Sequence, residues 1–329
     1  MRRLSGWYIY HPESRRMRTL KHLRPLPAEL RGLRTGEGHE GLSQATALTI
    51  SRHLTTAQLR IYRPTELYSL VRENRLTWEL PASLSERNVV ADLVRKTKLE
   101  EILLRANNKY PSIRRYTWGP VSAYAVALSV RPNAYLSHET AACLHGLLSS
   151  GSKTIYVNRE QSTKHGPPLP LTQEAITRAF ASTQRLSRYT LTHGESSIVL
   201  LSGKNTNRLE IETIPGSAGE PLPVTSIERT LVDITVRPAY AGGVSNVLRA
   251  FRQAKGRISV QRLIKVLKQL GHAYPYHQPI GFYMERAGFP STDLERLLRI
   301  AQKFDFFLAH RLSSKRYSQR WRLYYPKDL

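Results

Sequence analysis

The chain has 329 residues, with 50 Lys and Arg against 25 Asp and Glu and a formal charge of +25. That length suggests two domains with room for terminal extensions, and so large a positive excess points to a polyanionic partner, nucleic acid ahead of an anionic membrane. No stretch approaches the roughly 20 apolar residues of a membrane span, the first twenty residues lack a signal-peptide core, and the single cysteine, Cys143, rules out an intramolecular disulfide or a Cys-pair zinc site. A cytoplasmic protein with no cofactor, bound metal or membrane partner is expected.

Residues 1–40 are rich in Arg, Pro and Gly and show no sustained period, which predicts a flexible basic arm. From Ser43 a short helical pattern begins, with Ala47, Leu48 and Ile50 as candidate inner positions. A second helix is expected from Pro64, with Leu67, Leu70 and Val71 turned inward. The third is better marked, because Ser83 and Glu86 have capping-box spacing and Val89, Val90, Leu93 and Val94 form one apolar stripe over residues 85–97.

Ile102-Leu103-Leu104, a turn-like Asn107-Asn108-Lys109-Tyr110-Pro111 and residues 113–118 then read as a β-hairpin, with Arg105, Lys109, Arg114 and Arg115 around its tip. Three helices followed by a basic hairpin is the plan of a winged helix-turn-helix, whose third helix enters the major groove. Its outward residues would be Glu86, Arg87, Asn88, Asp92, Arg95 and Lys96. Arg87, Arg95 and Asn88 are of the types that pair with base edges, with Arg87 and Asn88 in the first turn expected to specify, whereas Lys96 and the hairpin cations Arg105, Lys109, Arg114 and Arg115 are suited to phosphate. The expected units are an arm over 1–40, a winged-helix domain over 41–118, a mixed α/β domain over 119–290 and a basic extension over 291–329, giving an α+β protein.

Beyond Gly119-Pro120 helices and strands alternate. Helices are expected over 122–129, from Ser137 to Leu144, after Thr225 and Glu228 at capping-box spacing, over 244–254 after Gly242-Gly243, and over 260–270 between Ser259 and Gly271. Strands are expected at 154–157, 189–192, 198–201 and 209–214. The last two helices carry basic rows, Arg249, Arg252 and Lys255, then Arg262, Lys265 and Lys268, which suit either a solvated face or a binding surface.

The constellations that invite chemistry are sparse. His138 and His145 would share a helical face, but two ligands are too few for a metal. Glu210, Glu212, Glu228 and Asp233 invite a nuclease reading, yet the Asp and Glu-x-Lys spacing of such enzymes is missing, as are phosphate-loop and nucleophile-elbow motifs.

The run from Ala134 to Leu147, Ala-Tyr-Leu-Ser-His-Glu-Thr-Ala-Ala-Cys-Leu-His-Gly-Leu, resembles a block of the AbiEi-family antitoxins. Similar too are Val224 to Asp233 with the following Arg237-Pro238 and Gly242-Gly243, and Tyr283 to Phe289. The resemblance spans about Pro64 to Phe289. It implies a transcriptional autorepressor and antitoxin of a bacterial type IV toxin-antitoxin or phage-defence system, with an antitoxin-type domain behind the winged helix. Its implied partners are double-stranded DNA at its own promoter and a nucleotidyltransferase-like toxin that it opposes without a stable complex. Neither block requires catalysis: Ser137 and Thr225 with Glu228 serve as caps, and Asp233 can bond nearby backbone. A non-enzymatic regulator is therefore expected; a metal-dependent nucleic-acid-processing enzyme and a nucleic-acid-binding structural subunit of a defence complex are the alternatives.

Overall fold

The computed structural model describes residues 41–107, 110–149, 152–163 and 170–329. The expected arm over 1–40 and Lys109 lie outside the described residues. The first helix, α1 (Gln44–Thr56), starts where the Ser43 hydroxyl accepts the Thr46 amide at 3.1 Å. Ala47, Ile50 and Leu54 form its buried stripe, whereas Leu48, expected inside, lies off that stripe and is 53% exposed. A two-residue strand, β1 (Ile61–Tyr62), which the sequence pattern did not reveal, precedes α2 (Pro64–Glu73). Pro64 opens that helix at a position needing no N–H, and the Arg63 amide donates to Glu66 Oε2 at 2.7 Å.

Helix α3 (Glu86–Lys96) is capped by Ser85, not Ser83: the Ser85 hydroxyl accepts the Asn88 amide at 3.2 Å. The chain enters the helix two residues later than the Ser83/Glu86 spacing implied, so Glu86 occupies the first helical position and turns to Arg72 at 3.3 Å. Strands β2 (Leu99–Ala106) and β3 (Ile113–Trp118) form an antiparallel hairpin from Leu99↔Trp118 to Leu104↔Ile113. Leu42, Ile50, Leu54, Leu67, Leu93 and Trp118 are among the side chains that give these elements a core of their own.

The hairpin does not end with that unit. Beyond Leu104, the Arg105 and Ala106 positions of β2 pair with Thr192 and Leu191 of β6 (Thr190–His193). Further strands are β4 (Tyr135–Leu136), β5 (Thr154–Glu160), β7 (Ser196–Gly203), β8 (Ile211–Pro215) and β9 (Pro221–Thr225). The described strands join in one sheet of order β1-β3-β2-β6-β7-β5-β4-β9-β8. Pairing is parallel for β5 with β7 and for β4 with β9, and antiparallel elsewhere, a mixed α+β arrangement. The change of texture at Gly119-Pro120 is thus crossed by the sheet.

Helices α4 (Ala123–Leu128) and α5 (His138–Leu144) pack on β5. On the other side of α5 lies a large helical core built from α6 (Gln173–Ala181), α7 (Ile227–Val236), α8 (Val244–Ala254), α9 (Val260–Leu270), α10 (His277–Arg286) and α11 (Ser291–Leu298). The amphipathic patterns of α8 and α9 place Val247, Phe251, Leu263 and Val266 in this core.

The segment after residue 290, expected as a basic extension, folds into the same core. Strands β10 (Phe306–Phe307), β12 (Leu323–Pro326) and β11 (Lys315–Ser318) form a second sheet in that order. Phe306, Trp321 and Leu323 are fully buried. The Gln278 amide nitrogen donates to the Phe304 and Trp321 carbonyls at 2.9 and 2.8 Å, and Trp321 Nε1 donates to Glu285 Oε2 at 2.7 Å. Trp321 lies close against Gly281 of α10, so that a Cβ at that glycine would overlap the indole ring. None of the described helices is long and apolar enough to cross a membrane.

Gly281→Ala is therefore expected to destabilise the chain by about 1–3 kcal/mol, although alanine is the better helix former, because the indole has to move. Denaturant unfolding followed by tryptophan fluorescence checks this; a stability equal to or above that of the parent would remove Trp321 from its role in the fold.

Candidate nucleic-acid interface

Helix α3 is held from both ends. Arg75, in the loop after α2, donates to the Pro81 and Leu84 carbonyls at 2.7 and 2.8 Å, which fixes the approach to Ser85. At the far end Asp92, expected to face outward, is only 3% exposed. Its carboxylate accepts the Leu42 amide at 2.7 Å and pairs with Arg95, while the Lys96 ammonium donates to the Leu42 carbonyl. Burial alone would raise the Asp92 carboxyl, but the Leu42 amide and Arg95 outweigh it and hold it below the usual carboxylate range. Asp92 thus fastens the start of the described chain to α3.

The consequence for the expected site residues is a division. Arg87 is exposed and makes no ion pair among the described residues; Asn88 is half-buried beside it in the first turn. Arg95 and Lys96 are exposed but tethered to Asp92 and Leu42. Along the helix, Arg87, Ala91 and Arg95 recur every four residues and form one exposed strip. The small Ala91 between two guanidiniums leaves room for close approach. On α2, Leu59, Tyr62, Leu70, Glu66 and Glu73 line a shallow groove, and Glu66 there is paired with Arg63 at 3.6 Å.

The hairpin departs furthest from expectation. Arg115, assigned to phosphate, is 6% exposed, and its guanidinium donates to the Ser129 carbonyl at 2.7 Å, the Val130 carbonyl at 3.3 Å and its neighbour Arg114's carbonyl at 2.7 Å. Burial, its largest influence, pulls its pKa below the usual arginine value. Strand alternation is the physical reason: Arg114 and Arg115 must point to opposite faces, and the face given to Arg115 is covered by the end of α4. Arg114 is exposed and pairs with Glu101 across the hairpin at 2.9 Å. Arg105 is exposed too, but its backbone is engaged by β6. Instead of a free basic tip, the hairpin end docks on the second unit: the Asn107 amide donates to the Thr190 carbonyl at 3.2 Å, and Tyr110 stacks on Tyr189 at 4.1 Å.

The two motif blocks come together in space. Leu136 pairs with Val224, joining β4 to β9, and α5 packs on α7. His145 Nε2 lies 2.7 Å from the Thr225 carbonyl, which can only accept, so that nitrogen carries the proton; Glu212 stands 3.7 Å away. His138 Nδ1 is 2.9 Å from the Ser137 hydroxyl, and its ring meets Tyr240 edge-on at 5.2 Å. Burial pushes its pKa down to about 4, leaving a neutral ring at ordinary pH. The expected hydroxyl caps are rearranged. Ser137 spends its hydroxyl on His138, and Ser226, not Thr225, caps α7 by accepting the Arg229 amide at 3.2 Å. Thr225, still in β9, bonds the Thr230 hydroxyl at 2.7 Å.

The acidic residues are likewise committed. Asp233 pairs with Arg229 at 2.9 Å in the interior, not with backbone, and Arg229 also donates to the Leu209 carbonyl at 3.1 Å. Glu210 and Glu228 both pair with Arg262, and Glu228 accepts the Ser259 amide at 3.1 Å, capping the approach to α9. Among the described residues no group of three or more His, Cys, Asp or Glu side chains is arranged to hold a metal ion.

No family model matches the sequence, and no curated protein matches it. Among solved structures the chain is similar to the crystal structure of the Rv2827c protein from Mycobacterium tuberculosis, with a TM-score of 0.54 and 14% identity over 85% of this chain and 91% of that one. At that identity the likeness concerns the fold alone.

Arg115→Ala is expected to lower stability by about 2 kcal/mol, since the Ser129 and Val130 carbonyls lose a charged donor in a buried place. Thermal unfolding checks it, and an unchanged midpoint accompanied by a loss of DNA affinity would return Arg115 to the interface.

Proposed function

We propose that the chain is a DNA-binding transcriptional regulator whose residues 41–118 act as a winged helix, with α3 as the helix that enters the major groove. The observation that carries this reading is the element order α1-β1-α2-α3-β2-β3, in which β1 closes the hairpin by pairing with β3 and α3 presents Arg87, Ala91 and Arg95 outward. One feature departs from the commonest form of the motif: the connection between α2 and α3 runs from 74 to 85 instead of a three- or four-residue turn. Arg75 compensates by bonding that loop to itself.

The resemblance of the Tyr135–Leu147 and Val224–Asp233 blocks to AbiEi-type antitoxins supports a more specific role, as an autorepressor that also opposes a nucleotidyltransferase-like toxin. In that role the second unit serves through its surface, for the motif residues in its interior are engaged with one another. A non-enzymatic part is the better fit to Glu210, Glu228 and Asp233, each of which is held by an arginine. The cytoplasm is the compartment that promoter binding requires.

On this reading Arg87 reads bases from the first turn of α3, while Arg114 reaches phosphate only after leaving Glu101. Arg87→Ala should weaken binding to the chain's own promoter by roughly tenfold or more and leave a scrambled duplex nearly unaffected. Arg114→Ala should weaken both modestly and equally. Anisotropy titrations of the two variants on both duplexes over a range of salt check this. Equal losses on both duplexes for Arg87→Ala would take α3 out of the groove.

A further inference from the structure

The outer face of the small C-terminal sheet carries an arrangement that duplex recognition by α3 does not use. Strand alternation sends Phe306, Leu323 and Tyr325 inward and leaves the opposite face to Phe307, Tyr324 and Tyr317. These three belong to three different strands in one register. Phe307 of β10 is level with Tyr324 of β12, which is level with Tyr317 of β11. Their rings form a continuous row, with centroids 5.0 Å apart between Phe307 and Tyr324 and 4.9 Å apart between Tyr324 and Tyr317. Tyr317, at the open edge, is 40% exposed.

Cations predominate around the row. The Lys315 ammonium stands over Tyr324 at 4.6 Å and over Phe307 at 5.5 Å, while Arg316, exposed on the same edge strand, alternates to the other face. Neither cation has a carboxylate partner among the described residues. The nearby acid, Asp305, is neutralised by Arg322 at 2.9 Å and accepts the Tyr317 hydroxyl at 2.7 Å, which fixes the tyrosine ring in place. Residues 303–329 contain seven Lys and Arg and two Asp. Phe307, at the inner end of the row, also stacks on Phe180 of α6 at 5.8 Å and packs against the helical core, so Tyr324 and Tyr317 are the rings left to a ligand. Two aromatic positions on adjacent strands of an open sheet face, with cations at the edge, are how sheet modules hold unstacked bases.

We propose that this face, Tyr324 and Tyr317 beside Phe307 with Lys315 over the rings, is a binding platform for single-stranded nucleic acid. The Tyr317 and Tyr324 rings stack on successive bases, and Lys315 swings from the rings to the intervening phosphate. Duplex DNA is not a ligand here, because its bases are already stacked and their faces are closed.

The test is anisotropy with the full chain on labelled 12-nucleotide oligo(dT) and oligo(rU), with a promoter duplex as the parallel arm. The variants are Tyr317→Ala, Tyr317→Phe and Lys315→Ala. Tyr317→Ala is expected to weaken single-strand binding about tenfold and to leave duplex binding unchanged. Tyr317→Phe, which keeps the ring and loses the bond to Asp305, is expected to bind like the parent, and that rescue separates stacking from a merely structural part. Lys315→Ala is expected to reduce single-strand affinity and lower its salt dependence. A preference for oligo(rU) or oligo(dT) that Tyr317→Ala removes assigns the platform to RNA or to DNA. Single-strand affinity unchanged in both Tyr317→Ala and Lys315→Ala, or equal losses on duplex and single strand, would overturn the proposal. Loss of promoter binding by Arg87→Ala with the Tyr317 effect intact would leave it standing, so the two readings fail separately.

Discussion

The strand on which the rest depends is β2. Over Leu99–Leu104 it holds β3 and closes the small helical unit; over Arg105–Ala106 it passes to β6 and enters the large sheet. One continuous run of backbone hydrogen bonds therefore sets the orientation of α3 relative to everything that follows residue 119. Few devices are as stiff, since sliding such a seam by one residue turns every side chain of the strand to the wrong face. The Tyr110–Tyr189 stack and the five hydrogen bonds of Arg115 to nearby carbonyl and hydroxyl oxygens lock the same junction from either side. A hairpin with this task is not free to act as a loose basic finger, and its charges are spent accordingly.

Behind the junction the two motif blocks act as one internal polar layer. Tyr135 accepts from Asn158 at 2.8 Å, Asn158 in turn accepts the Gly203 amide at 2.9 Å, and Arg229, paired with Asp233 within α7, ties that helix to the segment before β8 through the Leu209 carbonyl. Buried pairs of this kind contribute little net stability over apolar packing, while removal of one partner is costly. They explain why the blocks are so distinctive as sequence without any reacting centre being needed. On the readings proposed above, function lies at two surfaces, the α3 strip and the outer face of the small C-terminal sheet.

Much of this was legible in the sequence where periodicity speaks. The helices over residues 44–56, 64–73, 86–96, 244–254 and 260–270 follow from apolar spacing and from caps at Ser43, Ser259 and Gly271. What could not be read there were choices made by tertiary neighbours. Ser85 and Ser226 stand next to better-looking caps, and only the path of the entering chain selects them. Asp92 looks like any outward helix residue until Leu42, fifty positions away, brings it an amide. Arg114 and Arg115 are adjacent and chemically identical, so alternation says that one is hidden without saying which. The β1 strand is too short to have a pattern, and the basic composition after residue 290 masks an alternation, Phe306 in and Phe307 out, that builds a sheet.

Hydrogen exchange of the full chain with and without its promoter duplex tests most directly whether α3 is the surface that meets duplex DNA. Slowed exchange at the first turn of α3, residues 86–91, with the amides of Ala106 and Thr192 at the β2–β6 seam equally protected in both states, is the predicted result. Protection confined to α8 and α9, with α3 exchanging as fast as in the free protein, would contradict it.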